Sequence, residues 1–408
     1  MKTFPNLATP LVKLDLTFEA GSRYQPQPCV AHAASRLIGE ATASHTAEAM
    51  AHFLDFRGIV VERSAEVCTA CLSLFFLRRY AAELLPLVRE MVETPLLTPQ
   101  IFSAFVSKRR QQLEVNARKT SSVARNTFYE TLFGCGHPLG AHARPEDADR
   151  LTPELITGYW HDRYRLGQAQ LTLSGYVDDE LVGLVEKHIP AGENLTMVTA
   201  ADACPVLEWK PRRNAKTHRP LYVTVPSAVQ ATVRLGQVLP FSWDDPDPES
   251  GLTFFSQFMV LSTLLGGYFG SRLMRNLREE RGYTYGIQCQ AQIFRGLIVF
   301  FITSDVAADA VDDALAQIDR EILRLQDEQV EEEELRRVCT YMRGDYLRSI
   351  DGIFELAERH RQMSVTGLEE RFFDYLLSTL DAITPADLQR IACRFLSPAD
   401  LLHVVARP

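Results

Sequence analysis

The sequence predicts an α+β fold built from two tandem units of similar construction, each about two hundred residues long. Three observations carry this. The order of strand-like and helix-like segments in the first half recurs after a basic, Pro-bounded segment. The local pattern Ser35-Arg-Leu-Ile-Gly39 is matched by Ser262-Thr-Leu-Leu-Gly266. Each pattern is followed by a second glycine, Gly58 nineteen residues after Gly39 and Gly282 sixteen after Gly266, and each of these follows an Arg and precedes a strand pattern. Matching order and spacing at this period is the mark of a duplicated unit. It divides the chain into domains at 1–200 and 220–408, joined by a linker at 201–219.

In the first half, residues 12–19 alternate as a strand and close at Gly21. Residues 28–38 form an apolar helix ending at Gly39, and residues 46–57 a helix stopped by Gly58. Strands follow at 59–63 and 67–77, then helices at 81–93 and 99–128. Residues 135–140 form a turn. Thr152-Pro-Glu opens a helix running towards residue 163, because Thr is a good cap and Pro suits the first helical position. A strand at 170–173 ends at Gly175, and a helix spans 178–188. After the linker, strands are expected at 221–225 and 231–235. A long apolar helix leads from residue 252 to Gly266, and a short helix covers 271–281. Strands follow, to residue 287 and at 297–303. Helices are expected at 308–325 and 331–348, the latter opened by the acidic run Glu331 to Glu334, which complements the helix dipole. Pro385-Ala-Asp opens a further helix, and residues 402–405 form the last strand.

The 408 residues suffice for a substantial core, and 46% hydrophobic with 23% charged residues is ordinary for a globular protein. A net charge of -9 argues against nucleic acid as the main partner. The basic run from Lys210 to Arg219 reads as a solvated linker. The eight cysteines are scattered, unlike the dense pattern of a disulfide scaffold. Cys68 and Cys71 form a C-x-x-C, but positions three apart on a strand face opposite ways, so they read as buried thiols rather than a metal or redox pair. No secretory signal or transmembrane run is seen, and reduced thiols suit a cytoplasmic protein. The first strand lies close to Met1, which leaves room for a longer natural N-terminus. No P-loop, G-x-S-x-G, G-x-G-x-x-G or EF-hand loop is present.

The most specific stretch runs from Gly266 to Gly286: Gly-Gly-Tyr-Phe-Gly-Ser-Arg-Leu, then Leu-Arg-Glu-Glu-Arg-Gly, then Tyr two residues after Gly-Tyr. Ser271 is the expected helix cap, Arg275 and Glu279 sit one turn apart, and Gly282 is the left-handed stop. Beyond Gly282 the period becomes two, which puts Tyr283, Tyr285, Ile287, Cys289, Ala291 and Ile293 on one face. Taken alone, Tyr285 reads as a core tyrosine and Arg278 as a solvated helix arginine. The stretch as a whole resembles the C-terminal domain signature of the pitrilysin/insulinase-type metallopeptidases, the inverzincins. That family is built from paired α+β domains, each a mainly antiparallel sheet packed with helices, forming half of a clamshell around extended peptides. In it, an Arg and a Tyr seven residues later bind substrate backbone. The resemblance implies that role for Arg278 and Tyr285. Further segments resemble the family: Phe18-Glu-Ala-Gly-Ser22, the turn from Gly134 to Gly140, Leu171 to Asp179, and Glu333-Glu-Leu.

The departure lies at the zinc motif. Active members carry H-x-x-E-H on the first helix, where two His bind zinc and the Glu activates water. Placing Ala41-Thr42 on the family's Gly-Thr puts His32-Ala-Ala-Ser-Arg36 on the motif. His32 matches the first His, Ser35 replaces the Glu, and Arg36 replaces the second His. Arg36 stays protonated and cannot ligate zinc. Glu114 falls in the helix that supplies the family's third ligand, leaving at most two ligands. His52-Phe-Leu-Asp55-Phe56 looks like the motif by eye but lacks the second His. The resemblance therefore implies a subunit with no catalytic residues and no metal of its own, with zinc expected only in a partner. That partner is a homologous zinc-bearing catalytic subunit, as in bacterial processing peptidases, or a second copy of the chain. Peptide is the expected ligand, with no nucleic acid or membrane. Two other readings stay open: a self-associating structural or peptide-holding protein without a peptidase partner, and a hydrolase with an unusual metal set.

Overall fold

A computed structural model describes residues 1–190, 219–226, 228–239, 251–366, 368 and 372–408. The expected linker at 201–219 lies outside them except for its last residue. The chain forms two compact units, each around one five-stranded sheet.

The first sheet contains β1 (Lys2–Pro5), β2 (Leu11–Phe18), β3 (Val60–Ala65), β4 (Ala70–Leu77) and β5 (Gln170–Gly175), in the order β1-β5-β2-β4-β3. The second contains β6 (Leu221–Thr224), β7 (Gln230–Leu239), β8 (Ile287–Phe294), β9 (Leu297–Ala307) and β10 (Leu402–Arg407), in the order β6-β10-β7-β9-β8. Adding five to each strand number of the first sheet gives the second. In both, the edge strand pairs parallel with its neighbour and every other pairing is antiparallel. The duplication read from the glycine spacing is thus present strand by strand.

The central strand of each sheet is buried on both faces. In β2, Val12, Leu14, Leu16 and Phe18 enter the main core with the helices Val30–Leu37, Ala81–Glu93 and Pro153–Arg163. Its alternate residues, Lys13, Asp15 and Thr17, are also buried. Their cover is the helix Ile353–Thr366, whose Phe354 meets Phe75 and whose Glu358 meets Lys13. The second sheet is covered in the same way by the helix Thr120–Phe133, whose Thr120 hydroxyl lies 2.9 Å from that of Thr232. A side-chain carbon at Gly236 would sit 2.9 Å from the Phe128 ring, so glycine lets that helix approach β7. Consequently the units are not contiguous in sequence. Residues 115–142 belong with the second sheet, and residues 349–365 with the first. The division at 1–200 and 220–408 keeps both segments with their sequence neighbours, whereas contacts assign each to the sheet face it shields.

Helix starts follow their caps. The side chains of Thr46, Thr152, Asp178 and Thr384 each accept the backbone N–H three residues on. The single helix expected at 99–128 is two, Pro99–Ala117 and Thr120–Phe133, with the break where the chain passes between units. β1 and the helices Ile353–Thr366 and Phe372–Ala382 add to the expected elements. Among the described residues, no helix is long and apolar enough to cross a membrane.

Candidate functional site

The signature stretch forms two wide turns of π-helix around a bend. The apolar helix Leu252–Ser262 continues as a π-helical segment, Thr263–Gly267. A side-chain carbon at Gly266 would lie 2.6 Å from the Cβ of Cys289, so this glycine lets the helix end press against β8. A second π-helical segment, Met274–Glu280, carries Arg278. π-Turns are uncommon and concentrate at functional sites. Ser271 does not cap this helix with its hydroxyl, which is buried without a partner; its carbonyl instead receives the Arg275 N–H at 3.0 Å. Gly282 stops the helix at φ +67°, as Gly58 does at φ +63° in the first unit.

Arg278 is half-buried, and its guanidinium lies 4.4 Å from the centre of the exposed Phe269 ring. Tyr285 is 91% exposed. This corrects the expected strand phase, which placed Tyr285 in line with Ile287. The strand starts at Ile287, and a turn precedes it. The Thr284 hydroxyl makes that turn: it donates to the Gly286 carbonyl at 2.8 Å and accepts the Gly286 N–H at 3.0 Å and the Ser304 hydroxyl at 2.9 Å. Thr284 is therefore the inward residue, only 8% exposed, and Tyr285 is turned outward. A Thr two residues before Gly286 is a local signal for such a turn.

Around the segment that carries Arg278 runs a polar network with no signal in the residue pattern. Asn276 donates to Glu321 at 2.9 Å and accepts from Arg281 Nε at 2.9 Å; Asn276 and Glu321 are buried. Glu321 and Asp313 come from the helix Val311–Asp327, and Asp313 accepts the Tyr283 hydroxyl at 2.9 Å. Two hydrogen bonds at 2.9 and 2.7 Å tie Arg272 to Glu334. The segment bearing Arg278 and Tyr285 is thus fastened on several sides, while Tyr285 itself projects freely. A rigid support with an exposed phenol and a half-exposed guanidinium presents hydrogen-bond donors to a ligand.

The zinc-motif positions lie in the first unit, on the helix Val30–Leu37. His32 packs on Phe105, and among the described residues its buried Nδ1 has no hydrogen-bond partner. Burial, with Arg109 and Arg36 adding to it, lowers its pKa to about 4, so the imidazole is neutral at pH 7. Ser35 donates its hydroxyl to the Ser64 carbonyl at 2.9 Å. Arg36 is exposed. Glu114 pairs with Arg110 at 3.1 Å, and Arg110 also holds Asp149. Tested against zinc, this set does not fit. One neutral imidazole is present, but two guanidiniums face it, and the carboxylate is engaged by a third. Among the described residues, no cluster of three or more His, Cys, Asp or Glu is arranged to hold a metal.

The other sequence candidates separate as well. His52, from the stretch that looks like the motif by eye, stacks on Phe56. Cys68 and Cys71 are buried thiols outside any disulfide among the described residues; Cys68 lies before β4 rather than on it, and Cys71 sits near the Thr17 and Ser73 hydroxyls.

Comparison with known proteins agrees with this geometry. Residues 150–342 match the family model described as the Peptidase M16 inactive domain, a span that includes Gly266 to Gly286 and excludes His32 to Arg36. An uncharacterized zinc protease of Streptomyces coelicolor is 24% identical over 281 residues, covering 68% of this chain and 59% of that protein. The chain therefore matches less than two thirds of that relative's length. A probable inactive metalloprotease of Bacillus subtilis is 20% identical over 312 residues, covering 74% of this chain and 68% of the relative. Among solved structures, a peptidase M16 inactive domain from Pseudomonas fluorescens superposes with a TM-score of 0.82 at 20% identity, covering 100% of this chain and 95% of that one. A protease from Helicobacter pylori gives 0.82 at 17% identity, covering 98% and 94%. The chain has the fold of the M16-type peptidases, and its residues 150–342 match the M16 inactive-domain model, in line with the resemblance read at Gly266 to Gly286.

Proposed function

We propose that this chain is a non-catalytic M16-type subunit that holds extended peptide through Arg278 and Tyr285, and that a homologous partner chain supplies the zinc and the water-activating carboxylate. One observation carries the reading. Within a single chain, the segment bearing Arg278 and Tyr285 is fastened by side-chain hydrogen bonds, while the zinc positions hold Ser35, engaged to a carbonyl, and the cation Arg36. A guanidinium and a phenol can each donate to a peptide carbonyl. Aimed at a scissile bond, they would also stabilise the oxyanion that develops there. The matched inactive-domain model and the inactive relative support this reading.

The test is co-expression with a homologue bearing H-x-x-E-H, followed by a peptide cleavage assay. Tyr285→Phe and Arg278→Ala are each expected to lower turnover by about one to three orders of magnitude, with assembly unchanged by size-exclusion chromatography. A double variant as fast as wild type, or a partner fully active alone, would refute the reading. Elemental analysis of the isolated chain after dialysis is expected to find no stoichiometric zinc; one zinc per chain, lost in His32→Ala, would contradict this.

A further inference from the structure

A cavity of about 560 Å³ opens on the first unit beside the degenerate motif. Its wall holds four cationic side chains: Lys13 from β2, Arg36 from the motif helix, Arg63 from β3 and Arg361 from the helix Ile353–Thr366. Three of them are already engaged. Lys13 lies 3.1 Å from Asp15 and 3.3 Å from Glu358. Arg361 makes two hydrogen bonds to Glu358, at 3.0 and 2.5 Å. Arg63 donates to the Ile38 carbonyl at 2.9 Å and lies 3.6 Å from Glu40. Arg36 differs: among the described residues it has no ion-pair or hydrogen-bond partner, yet it lines the same cavity. The carboxylates of the wall do not answer it. Glu358 is shared by Lys13 and Arg361, and Glu62 stands exposed on β3. Burial, together with Arg36, works against the charge on Arg63, which lowers its pKa from the usual arginine value. Three guanidiniums therefore face one pocket with a surplus of positive charge, a large volume and hydroxyl groups from Ser64 and Ser73.

We infer that this cavity is a carboxylate-binding subsite, in which Arg36, with Arg63 behind it, takes an acidic group of a bound peptide. The inference deepens the peptide-holding reading and rests on it for the identity of the ligand. The substitution that removes a zinc ligand would then also add a specificity element. An Arg fork matches a carboxylate in two parallel hydrogen bonds, and a charge-assisted pair in a partly buried cavity is stronger than one in open water. The carboxylate can come from an Asp or Glu side chain or from a peptide C-terminus.

The test uses the full chain and fluorescein-labelled peptides of a dozen residues read by anisotropy. One peptide carries internal Glu and Asp with an amidated end. The second replaces these by Gln and Asn, and the third is the second with a free C-terminus. The acidic peptide is expected to bind about tenfold tighter than its amide isostere. If the third peptide shows the preference instead, the carboxylate is the terminal one. The preference should vanish in Arg36→Gln and shrink without vanishing in Arg36→Lys, which keeps the charge but loses the fork, while Tyr285→Phe weakens all peptides by a common factor. Arg36 is exposed, so these variants should fold as wild type, checked by circular dichroism. Equal binding of all three peptides, or a preference untouched by Arg36→Gln, overturns the subsite and leaves peptide holding intact. If no peptide binds at all, peptide holding fails. The subsite is then judged by calorimetry with glutarate: binding lost in Arg36→Gln sustains it, and no binding overturns it.

Discussion

Each unit buries a cation on the shielded face of its central strand, and the two are neutralised differently. In each, the central strand turns alternate residues towards the helix that covers its second face. In the first, Lys13 meets Asp15 and Glu358, and Arg361 completes a four-membered ion network. The Ser73 hydroxyl donates to Asp15 at 2.5 Å. In the second, Arg234 lies 3.9 Å from the centre of the Phe301 ring, with Phe128 and Tyr129 alongside, and its buried Nε has no hydrogen-bond partner. A duplicated scaffold thus fixes where the strands run but leaves the chemistry of a shielded face free. Ion networks depend on every member, while the two phenylalanine rings beside Arg234 do not titrate and burial pushes the Tyr129 phenol further up.

The sharpest way to break that contrast is Asp15→Ala, which leaves buried Lys13 only the Glu358 that Arg361 already shares. A loss of about 3–5 kcal/mol is expected by urea denaturation. Arg234→Met in the second unit strands no acid, and the rings can pack on methionine. A change within about 1 kcal/mol is expected there; a loss of several would mean that the rings are full partners of the cation. Thr284→Val should cost about 1–3 kcal/mol by removing the hydroxyl that builds the Tyr285 turn, with weaker peptide binding as a second readout.

The contrast also has a pH signature. Burial works to raise the Glu358 carboxyl, but Arg361 and Lys13 outweigh it and hold its pKa below the usual value. Burial likewise opposes the Lys13 charge, but Asp15 and Glu358 outweigh it and raise its pKa. A depressed carboxyl contributes stability above its unfolded pKa and loses it as pH falls through the folded one. A raised lysine contributes below its unfolded pKa and loses it as pH rises through the folded one. The first unit should therefore soften in acid below about pH 4.5 and again above about pH 10.5. Hydrogen exchange of β2 against β7 would show this, and parallel acid loss in both would count against it. The smallest effect is expected from Arg36→Gln, within about 0.5 kcal/mol in stability, since Arg36 is exposed and holds no partner.

Most strands and capped helices were legible because their signals are local. The hydroxyl and carboxylate caps and the glycine stops specify helix ends within a few residues of chain. The edge strand β1 was not, because four mostly exposed residues ending in Pro5 show no alternation. The phase at Tyr285 was misread because the alternation continues through Gly286 on paper, whereas a single hydroxyl breaks it in space. Replacement of the zinc residues was readable from chemical type alone. The Asn276, Glu321 and Arg281 network was not, since its members are forty-five and five residues apart along the chain. The Lys13 network was equally hidden, with its acid 345 residues away.

The helix Ile353–Thr366 has a consequence for how the chain is made. The first unit's earlier segments end at residue 204, and its remaining segment starts at 349. A ribosome adding about 5–20 residues per second needs roughly 7–30 s to cross the intervening 144 residues. Through that interval Lys13 and Asp15 lack Glu358, and one face of the sheet has no cover. The nascent first unit is therefore an incomplete client for chaperones, and it cannot mature on the ribosome ahead of the second. A chain that stops before residue 349 would be expected to yield an aggregation-prone fragment rather than a free-standing domain.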